Sequence, residues 1–337
     1  MQPTFYEVSK LAGVSMDTVC RVMNNSEKDS PATRKKVAEA MQQLGYRPNS
    51  AAQSLASSRS NTVGVIVPVF YGPFYGDILA GIEAELRASK KHVIITSGDS
   101  GSASEKKGVE FLLSRNCDAL ILWLDSVSDE YLVELSNADA TPFVVLARHI
   151  PQIEDRCVYL DDELGGYLAT KSVLVLGHRN IAYISGPLWK ADADARFKGH
   201  QRALEEFNVE YDPRLLYEGN FRETGGNRGM KHLLQSGAPF SAVICGNDEM
   251  AAGAFGVARE RGMQIPDELS IMGFDNVFFS RYFRPMLSTV NNPVGEMGQM
   301  AARWVLKEVY GQKELEIQHR YEPEVVNRSS VAAKNSP

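Results

Sequence analysis

The chain has 337 residues, of which 44% are hydrophobic and 23% are charged, and its formal net charge is −6. This length predicts two or three compact units, and the apolar content excludes a largely disordered chain. No apolar run reaches the length of about 18 residues that spans a bilayer, and the first residues lack the apolar core of a secretory signal, so we expect a cytoplasmic protein.

The charge is distributed unevenly along the chain. Residues 1–60 contain eight Lys or Arg against five Asp or Glu, whereas the rest contains 28 Lys or Arg against 37 Asp or Glu. The head, residues 1–60, is therefore mildly basic and the rest of the chain, the body, is acidic. The net negative charge of the whole chain thus does not exclude a nucleic-acid partner for the head. The four cysteines and six histidines show no metal-ligand spacing, so we expect reduced thiols, no metal and no cofactor.

The first two predicted helices lie close to the N-terminus. Thr4 and Glu7 have the spacing of a capping box, in which each side chain bonds the other residue's backbone N–H. Gly13 is expected to end the first helix, and Ser15 is expected to cap the second.

A third helix is predicted to begin at Ser30-Pro31, a cap followed by proline at the first helical position, and to end at Gly45. Arg47-Pro48-Asn49 then marks a break. Residues 50–58 are small and polar except for Leu55 and, taken alone, are typical of a flexible linker.

The segment between the first two helices, Leu11–Ser15, is a tight turn that contains glycine, as in a helix-turn-helix. The start of the second helix would then reach base edges in a DNA major groove. The candidate DNA contacts of the head are Thr4, Ser15, Met16, Asp17, Thr18, Arg21 and Asn24. Arg21 suits guanine or phosphate, whereas the small polar side chains suit phosphate. On its own, such a turn still favours a helical hairpin with no chemical role.

From residue 61 onward, short apolar runs alternate with amphipathic helical stretches. The predicted strands are Val63–Val67, His92–Thr96, Ala119–Trp123, Phe143–Ala147, Val158–Leu160, Ile181–Ser185, Ala242–Cys245 and Leu269–Gly273. Apolar strands separated by helices predict parallel sheets that are covered on both faces. This number of strands exceeds one common open sheet, so we predict two doubly wound subdomains with a ligand beyond the C-terminal ends of the strands.

Longer segments resemble a known family. TFYEVSKLAGVSMDTVCRVMN at 4–24 and LGYRPNSAAQSLAS at 44–57 resemble the head and hinge of the LacI/GalR family of bacterial transcription repressors. VGVIVP, CDALILW, LGHRNIAYISGP and ICGNDEMAAGAFGVARERGMQIPDELSIMGFDN resemble the family's body, in the same order. RYFRPMLSTV and the spacing around Asp192–Arg196 are most similar to galactose-type repressors, and GFDNV is also similar to the purine-type member.

The resemblance implies an α/β fold with a helical head. It divides the chain into an all-α helix-turn-helix DNA-binding head at 1–48, a hinge at 49–60, two doubly wound parallel-sheet subdomains similar to periplasmic binding proteins at 61–330, and a tail at 331–337. The first subdomain is expected at about 61–160 plus 292–321, and the second at about 162–290 plus 322–330. Crossing strands near 160–163, 290–293 and 321–323 would join them.

The hinge is implied to fold into a helix on operator DNA and to insert a leucine into the minor groove. Leu55 matches that leucine and, as the one large apolar side chain of its stretch, suits a wedge that unstacks a base step. Asn49, Ala52 and Gln53 match neighbouring hinge positions.

Two residues of the second helix depart from the family pattern. Asp17 stands where relatives often have Gln or Ala, and its carboxylate repels phosphate but can accept from cytosine N4. Cys20 replaces a frequent serine and so weakens a phosphate contact. We therefore expect Met16 and Asp17 to set the operator preference.

The effector is expected in the cleft between the two subdomains, where sugar hydroxyls require planar donors and acceptors beside an aromatic face. Positions that match the family's effector contacts are Arg196, Phe221, Asn247 and Asp275, and further candidates are Phe74, Arg148 and Asp192. We expect Asp248 to be a helix cap instead.

These features predict a transcriptional repressor of carbohydrate-utilisation genes that binds double-stranded, palindromic operator DNA and responds to a small sugar, galactose or a galactoside. A purine or another small co-repressor is the alternative within the same fold. An α/β sugar-processing enzyme and a sugar-binding receptor are more remote, because the helical head argues against both and no catalytic constellation stands out. We therefore expect a protein that is not an enzyme.

A symmetric pair of heads requires a homodimer. Its contacts are expected on the helix around Ile78–Leu86 and on residues 278–286. The sequence ends in VAAKNSP without leucine heptads, so we expect a dimer rather than a tetramer, and no membrane partner.

Overall fold

The computed structural model describes residues 3–23, 29–46, 59–98, 101–138 and 141–334. The chain forms two compact units, Met1–Ser60 and Asn61–Pro337. The candidate contacts Asn24, Asn49, Ala52, Gln53 and Leu55 lie outside the described residues. In the described part, no helix is both long and apolar enough to cross a membrane.

The described part of the head contains three helices around a small apolar core. They are α1 (Phe5–Ala12), α2 (Met16–Met23) and α3 (Pro31–Leu44). The predicted caps are present: the Thr4 N–H donates to the Glu7 carboxylate at 2.7 Å, and the Thr33 N–H donates to Ser30 Oγ at 3.2 Å. The buried side chains of this core are Val8, Val19, Val37, Ala40 and Tyr46. Because each helix contributes to it, the core fixes α2 against its two neighbours.

The body alternates strands and helices. Its strands are β1 (Thr62–Val67), β2 (His92–Ser97), β3 (Ala119–Leu122), β4 (Phe143–Leu146), β5 (Cys157–Leu160), β6 (Ile181–Ser185), β7 (Leu216–Glu218), β8 (Ala242–Cys245), β9 (Ser270–Met272), β10 (Thr289–Asn291), β11 (Arg320–Tyr321) and β12 (Glu324–Val326). Its α-helices are α4 (Pro73–Ala88), α5 (Ser102–Ser114), α6 (Asp129–Asn137), α7 (Asp162–Leu174), α8 (Ala191–Glu206), α9 (Glu223–Gln235), α10 (Asp248–Glu260) and α11 (Val294–Glu308).

Two parallel sheets organise these elements. The first has the strand order β11-β5-β4-β3-β1-β2, and the second has the order β7-β6-β8-β9. All pairings within both sheets are parallel. The eight predicted strands all occur, and the predicted fold class, a helical head followed by two doubly wound sheets, is confirmed. The short β7 was not predicted.

The chain passes between the two sheets three times. Asp161 joins β5 to α7, and β10 pairs with β12 antiparallel, with Thr289 opposite Val326. After β10 the chain enters α11, which covers the first sheet, and β11 then completes that sheet's edge. These passages explain why each sheet of the body is built from separate stretches of chain.

Helix α4, for which a dimer contact is predicted, buries its apolar stripe within the chain. Ile78, Ile82 and Leu86 are fully buried within the chain, where α4 packs against α11. The apolar stripe of α4 is therefore part of the core, and only its opposite, mostly small and charged face is available to a partner. Residues 278–286, by contrast, expose Phe278 and Tyr282.

Candidate functional site

The start of α2 is exposed in the helix-turn-helix. Ser15 caps α2, because its Oγ accepts the Thr18 N–H at 3.1 Å and lies 2.9 Å from Thr18 Oγ1. Met16 and Asp17 are exposed, whereas Val19 faces the core. The structure thus brings four of the predicted DNA contacts, Ser15, Met16, Asp17 and Thr18, together at the start of one short helix.

Arg21 is held by neighbouring acceptors on this face. Its guanidinium forms an ion pair with Asp17 one turn earlier, and Nη2 donates to Thr18 Oγ1 at 3.1 Å and to Asp29 at 3.4 Å. Any base or phosphate that binds Arg21 must therefore compete with Asp17 for the guanidinium. Thr4 is also engaged, since its Oγ1 donates to Glu7 at 3.0 Å.

The body contains a cavity of about 270 Å³ at the C-terminal ends of strands from both sheets. Its wall residues Asp125, Pro187, Asn247 and Asp275 each come shortly after a strand. We call it the main cavity. Six of the predicted effector residues line it: Phe74, Asp192, Arg196, Phe221, Asn247 and Asp275.

The buried guanidinium of Arg196 is the polar centre of this cavity. Nε donates to Asp162 at 2.7 Å, and Nη1 donates to the Gly246 carbonyl oxygen at 2.7 Å and to Asp275 at 3.4 Å. The guanidinium also lies 3.7 Å from the centre of the Phe274 ring. These contacts fix the planar group from several sides, so its remaining donor capacity is preorganised.

Burial and shared charge shift the pKa of each member of this cluster. Burial raises the pKa of Asp275 to about 6 and that of Asp162 to about 7, although the attraction of Arg196 opposes both shifts. For Arg196, burial lowers the pKa, but the surrounding carboxylates outweigh it and the net shift is upward. The arginine therefore stays charged, while the two carboxylates titrate closer to neutrality than ordinary aspartates.

Close packing of two helices places Arg196 beside Asp162. A Cβ on Gly166 of α7 would overlap the carbonyl oxygen of Arg196 on α8. Only glycine permits this approach of α8 to α7 without displacing one helix.

Asn247 and Phe221 form a second, connected wall. Asn247 caps α10 by accepting the Met250 N–H at 2.9 Å, and its Nδ2 donates to the Phe221 carbonyl oxygen at 2.9 Å. A Cβ on Gly186 would overlap the Phe221 ring, so the ring lies directly on the backbone at the end of β6. Asn247 thus positions Phe221 as well as lining the cavity.

Aromatic side chains form the opposite wall, on the first subdomain. The Phe74 ring lies edge-on to Trp123 at 5.6 Å and to Tyr75 at 5.4 Å. Beside them the buried Glu105 carboxylate accepts the backbone N–H groups of Asp125, Ser126 and Val127 at 2.8–2.9 Å. This side chain holds the loop after β3 in one conformation.

Arg148 is not brought to the main cavity. Its Nη1 donates to the Val127 carbonyl oxygen at 2.7 Å, and Nη2 pairs with Asp129 at 2.6 Å. It lines a smaller neighbouring cavity instead.

The prediction that Asp248 is a helix cap is wrong, because Asn247 is the cap of α10. The buried Asp248 carboxylate accepts instead from Thr289 Oγ1 at 2.7 Å and from the Val277 N–H at 2.9 Å.

The charged residues of this region that were missed as effector-site candidates include four beside the Arg196 cluster or the cleft: Asp125, Asp162, Lys190 and Glu249. Asp125 follows β3 closely, which is the signal that identified other strand-end residues. The other three occupy ordinary positions at helix starts, and only the fold brings them to the cleft. Among the described residues, no group of three or more His, Cys, Asp or Glu could hold a metal ion.

Similarity to known proteins extends over the whole chain. The family model "Bacterial regulatory proteins, lacI family" matches residues 4–49, and the model "Periplasmic binding protein-like domain" matches residues 170–331. The HTH-type transcriptional regulator GalR of Escherichia coli (strain K12) is 37% identical over 329 residues, covering 98% of this chain and 96% of GalR. This chain belongs to the lacI family.

The lacI family also includes relatives whose names describe other regulators than GalR. The HTH-type transcriptional repressor PurR of Aliivibrio salmonicida (strain LFI1238) is 30% identical, covering 97% of this chain and 98% of its own. The crystal structure of the lac repressor dimer bound to operator and the anti-inducer ONPF has a TM-score of 0.87 and 27% identity, covering 99% and 100% of the two chains. The predicted family is confirmed, and so is the prediction that the protein is not an enzyme. It is a DNA-binding transcriptional repressor with an effector domain.

Proposed function

We propose that this lacI-family protein acts in the bacterial cytoplasm as a homodimer on a palindromic operator of carbohydrate-utilisation genes. A small sugar, galactose or a related hexose, controls it by binding in the main cavity. The sugar would bind one arrangement of the two subdomains better than the other and thereby change the population that holds the operator.

The Arg196 cluster carries this proposal. It combines a forked donor with the carboxylate acceptors Asp275 and Asp192 beside the Phe221 ring, the pairing that vicinal hydroxyls and the apolar face of a sugar require. The cavity of about 270 Å³ lies just below the roughly 300–1,000 Å³ of drug-sized ligand sites, which favours a single sugar ring.

Galactose is favoured among the hexoses by the resemblance of RYFRPMLSTV, at 281–290, to galactose-type repressors, and by the 37% identity to GalR. A purine is the second candidate. The relative named PurR and the Phe74 and Phe221 rings that line the main cavity favour it, since aromatic side chains also suit the faces of a planar base.

Fluorescence anisotropy with the full-length protein tests the proposal. A palindromic operator is first selected from random DNA and then titrated with galactose, other hexoses, hypoxanthine and guanine present in turn. We expect galactose or a close hexose to change operator affinity and to raise the melting temperature. A response to purines and to no sugar would overturn the sugar assignment.

One substitution and its control separate operator binding from the sugar response. Asp275→Asn is expected to keep operator binding and to lose most of the sugar response, whereas Arg202→Met, which breaks the half-exposed pair with Glu163, should keep both.

The hinge provides a separate test. We expect Leu55→Ala to weaken binding to the operator more than binding to random DNA, because the leucine wedge acts at one specific base step.

A further inference from the structure

A second cavity of about 180 Å³ adjoins the main cavity. We call it the side cavity. Asp125, Trp189, Lys190 and Asp192 line both cavities, so these four residues stand between them. The side cavity also carries Arg148 and Asp194, which gives it the mixture of charged donors, acceptors and indole surface that suits a second sugar ring.

An ion pair between Asp125 and Lys190 lies at the boundary between the two cavities. Asp125 follows β3 of the first sheet, and Lys190 precedes α8 of the second subdomain, so the pair also joins the two subdomains across the cleft. The two side chains are only 15% and 17% exposed. We call this pair the Asp125–Lys190 bridge.

Both partners of the bridge are fixed by further contacts. Asp125 Oδ1 accepts from Trp123 Nε1 at 3.2 Å, and its backbone N–H donates to the buried Glu105 at 2.8 Å. Lys190 Nζ lies 5.5 Å from the centre of the Trp189 ring and 6.0 Å from that of Phe221. A ligand that needs both cavities must therefore separate a pair that is partly desolvated and held in place from both sides.

We propose that the Asp125–Lys190 bridge selects effectors by size. It confines the effector to a single sugar ring in the main cavity and excludes sugars that carry a second ring. Removal of both side chains joins the two cavities into one site that accepts a disaccharide. This inference rests on the proposed sugar response.

Isothermal titration calorimetry on the full-length protein tests the inference. The probes are galactose and three disaccharides that extend a galactosyl unit at C1 or at O4: lactose, melibiose and 1,4-galactobiose. For the wild type we expect the dissociation constant of every disaccharide to exceed that of galactose by at least about 100-fold, since exclusion rests on a steric and electrostatic barrier.

The test variant is Asp125→Ala/Lys190→Ala, in which neither charge is left buried without its partner. We expect at least one disaccharide to bind this variant within about tenfold of galactose, as the barrier is gone. Asp125→Ser/Lys190→Ser provides the same opening with side chains that hydrogen-bond water, and it decides the matter if the alanine pair fails to fold. Lys171→Met, which breaks the surface pair with Glu206, is the matched control and should keep the wild-type ratio.

The outcomes distinguish the inference from the proposed function. A wild type that binds a disaccharide as tightly as galactose, or folded bridge variants that still reject every disaccharide, would overturn the inference and leave the sugar response intact. A wild type that binds none of the sugars would overturn both. Exclusion of disaccharides that is lost only in the bridge variants supports the proposal that the Asp125–Lys190 bridge selects effectors by size.

Discussion

At the scale of single residues, the chemistry of the main cavity depends on carboxylates that outnumber the cations around them. Arg196 is shared by Asp162 and Asp275. Glu249 is a further acid on the same cavity, and its carboxylate lies against the backbone of Gly72 at the start of α4. These acids make the stability of the effector domain depend on pH.

Glu249 provides the clearest test of that dependence. Burial, together with Asp275 and Glu223, raises the pKa of Glu249 to about 7. Between pH 5 and pH 8 the folded state therefore holds this proton more tightly than the unfolded chain does, and the free energy of unfolding falls as the pH rises. We expect the free energy of unfolding of Glu249→Gln to fall by about 1–2 kcal/mol less than that of the wild type over this pH range. Solvent screening keeps this difference small, because the Glu249 side chain is only half buried.

Urea denaturation at pH 5 and pH 8 measures this difference between wild type and variant. Glu260→Gln, at an exposed position of the same helix, is the control and should keep the wild-type pH dependence. A Glu249→Gln protein with the wild-type dependence would contradict the assignment.

Asp17 is one of the two α2 residues that depart from the expected family pattern, and the structure pairs it with Arg21. We expect Asp17→Ala to release the guanidinium for DNA and to tighten operator binding by about 3–10-fold at low salt, with a steeper salt dependence. The preferred operator should also change, as read by selection from random DNA. Glu39→Gln, in the exposed pair with Lys35 on α3, is the control, and an unchanged operator preference would rule out Asp17 as its determinant.

At the scale of elements, the contact of α7 with α8 determines where Arg196 lies. A Cβ on Gly166 would overlap the backbone of Arg196. We expect Gly166→Ala to lower the free energy of unfolding by about 1–3 kcal/mol, as overpacking does, and to weaken sugar binding by displacing Arg196. Chemical denaturation and calorimetry measure the two effects.

Gly256 supplies the matched control for that substitution. It also lies inside a helix, α10, but nothing lies within 4 Å of a Cβ placed on it. Gly256→Ala should therefore be neutral or stabilising by about 0.4–1 kcal/mol, because alanine only restricts the unfolded chain. If the two substitutions changed the free energy of unfolding equally, the close packing of α7 and α8 at Gly166 would not be what determines the stability and the position of Arg196.

At the scale of the whole molecule, we expect two exposed aromatic side chains to contribute to the contact between the two copies of the chain. Phe278 is 61% exposed and Tyr282 is 72% exposed, within the stretch predicted to form part of the dimer contact. We expect Tyr282→Glu to weaken dimerisation by at least about tenfold, as loss of an aromatic interface residue does, and to reduce operator affinity with it.

Light scattering over a range of protein concentrations measures this shift towards monomer. Val175→Glu is the control, because Val175 is 62% exposed at the end of α7, away from the predicted contact. A stable dimer in the Tyr282→Glu protein would place the interface elsewhere.

The sequence alone was sufficient for the features that depend on neighbouring residues. The Thr4–Glu7 capping box, the Ser15 cap and the Ser30-Pro31 helix start act within a single turn, so their pattern can be read directly and the structure contains each of them. Eight of the parallel strands were visible as apolar runs, because a strand buried on both faces is apolar throughout, whereas the short, half-buried β7 was missed. Resemblance to a family then assigned Arg196, Phe221, Asn247 and Asp275, which the structure brings to one cavity.

Only the tertiary structure determined what those side chains meet. Ile78, Ile82 and Leu86 form an apolar stripe that fits a dimer face as well as a core, and the packing of α11 places them in the core. Arg148 follows a strand, as true cleft residues do, but Asp129 holds it away from the main cavity. Asp125 and Lys190 are 65 residues apart in the chain and meet only because two separate sheets face each other. A sequence pattern records local geometry and burial, whereas charge pairing across a cleft depends on where distant elements are packed.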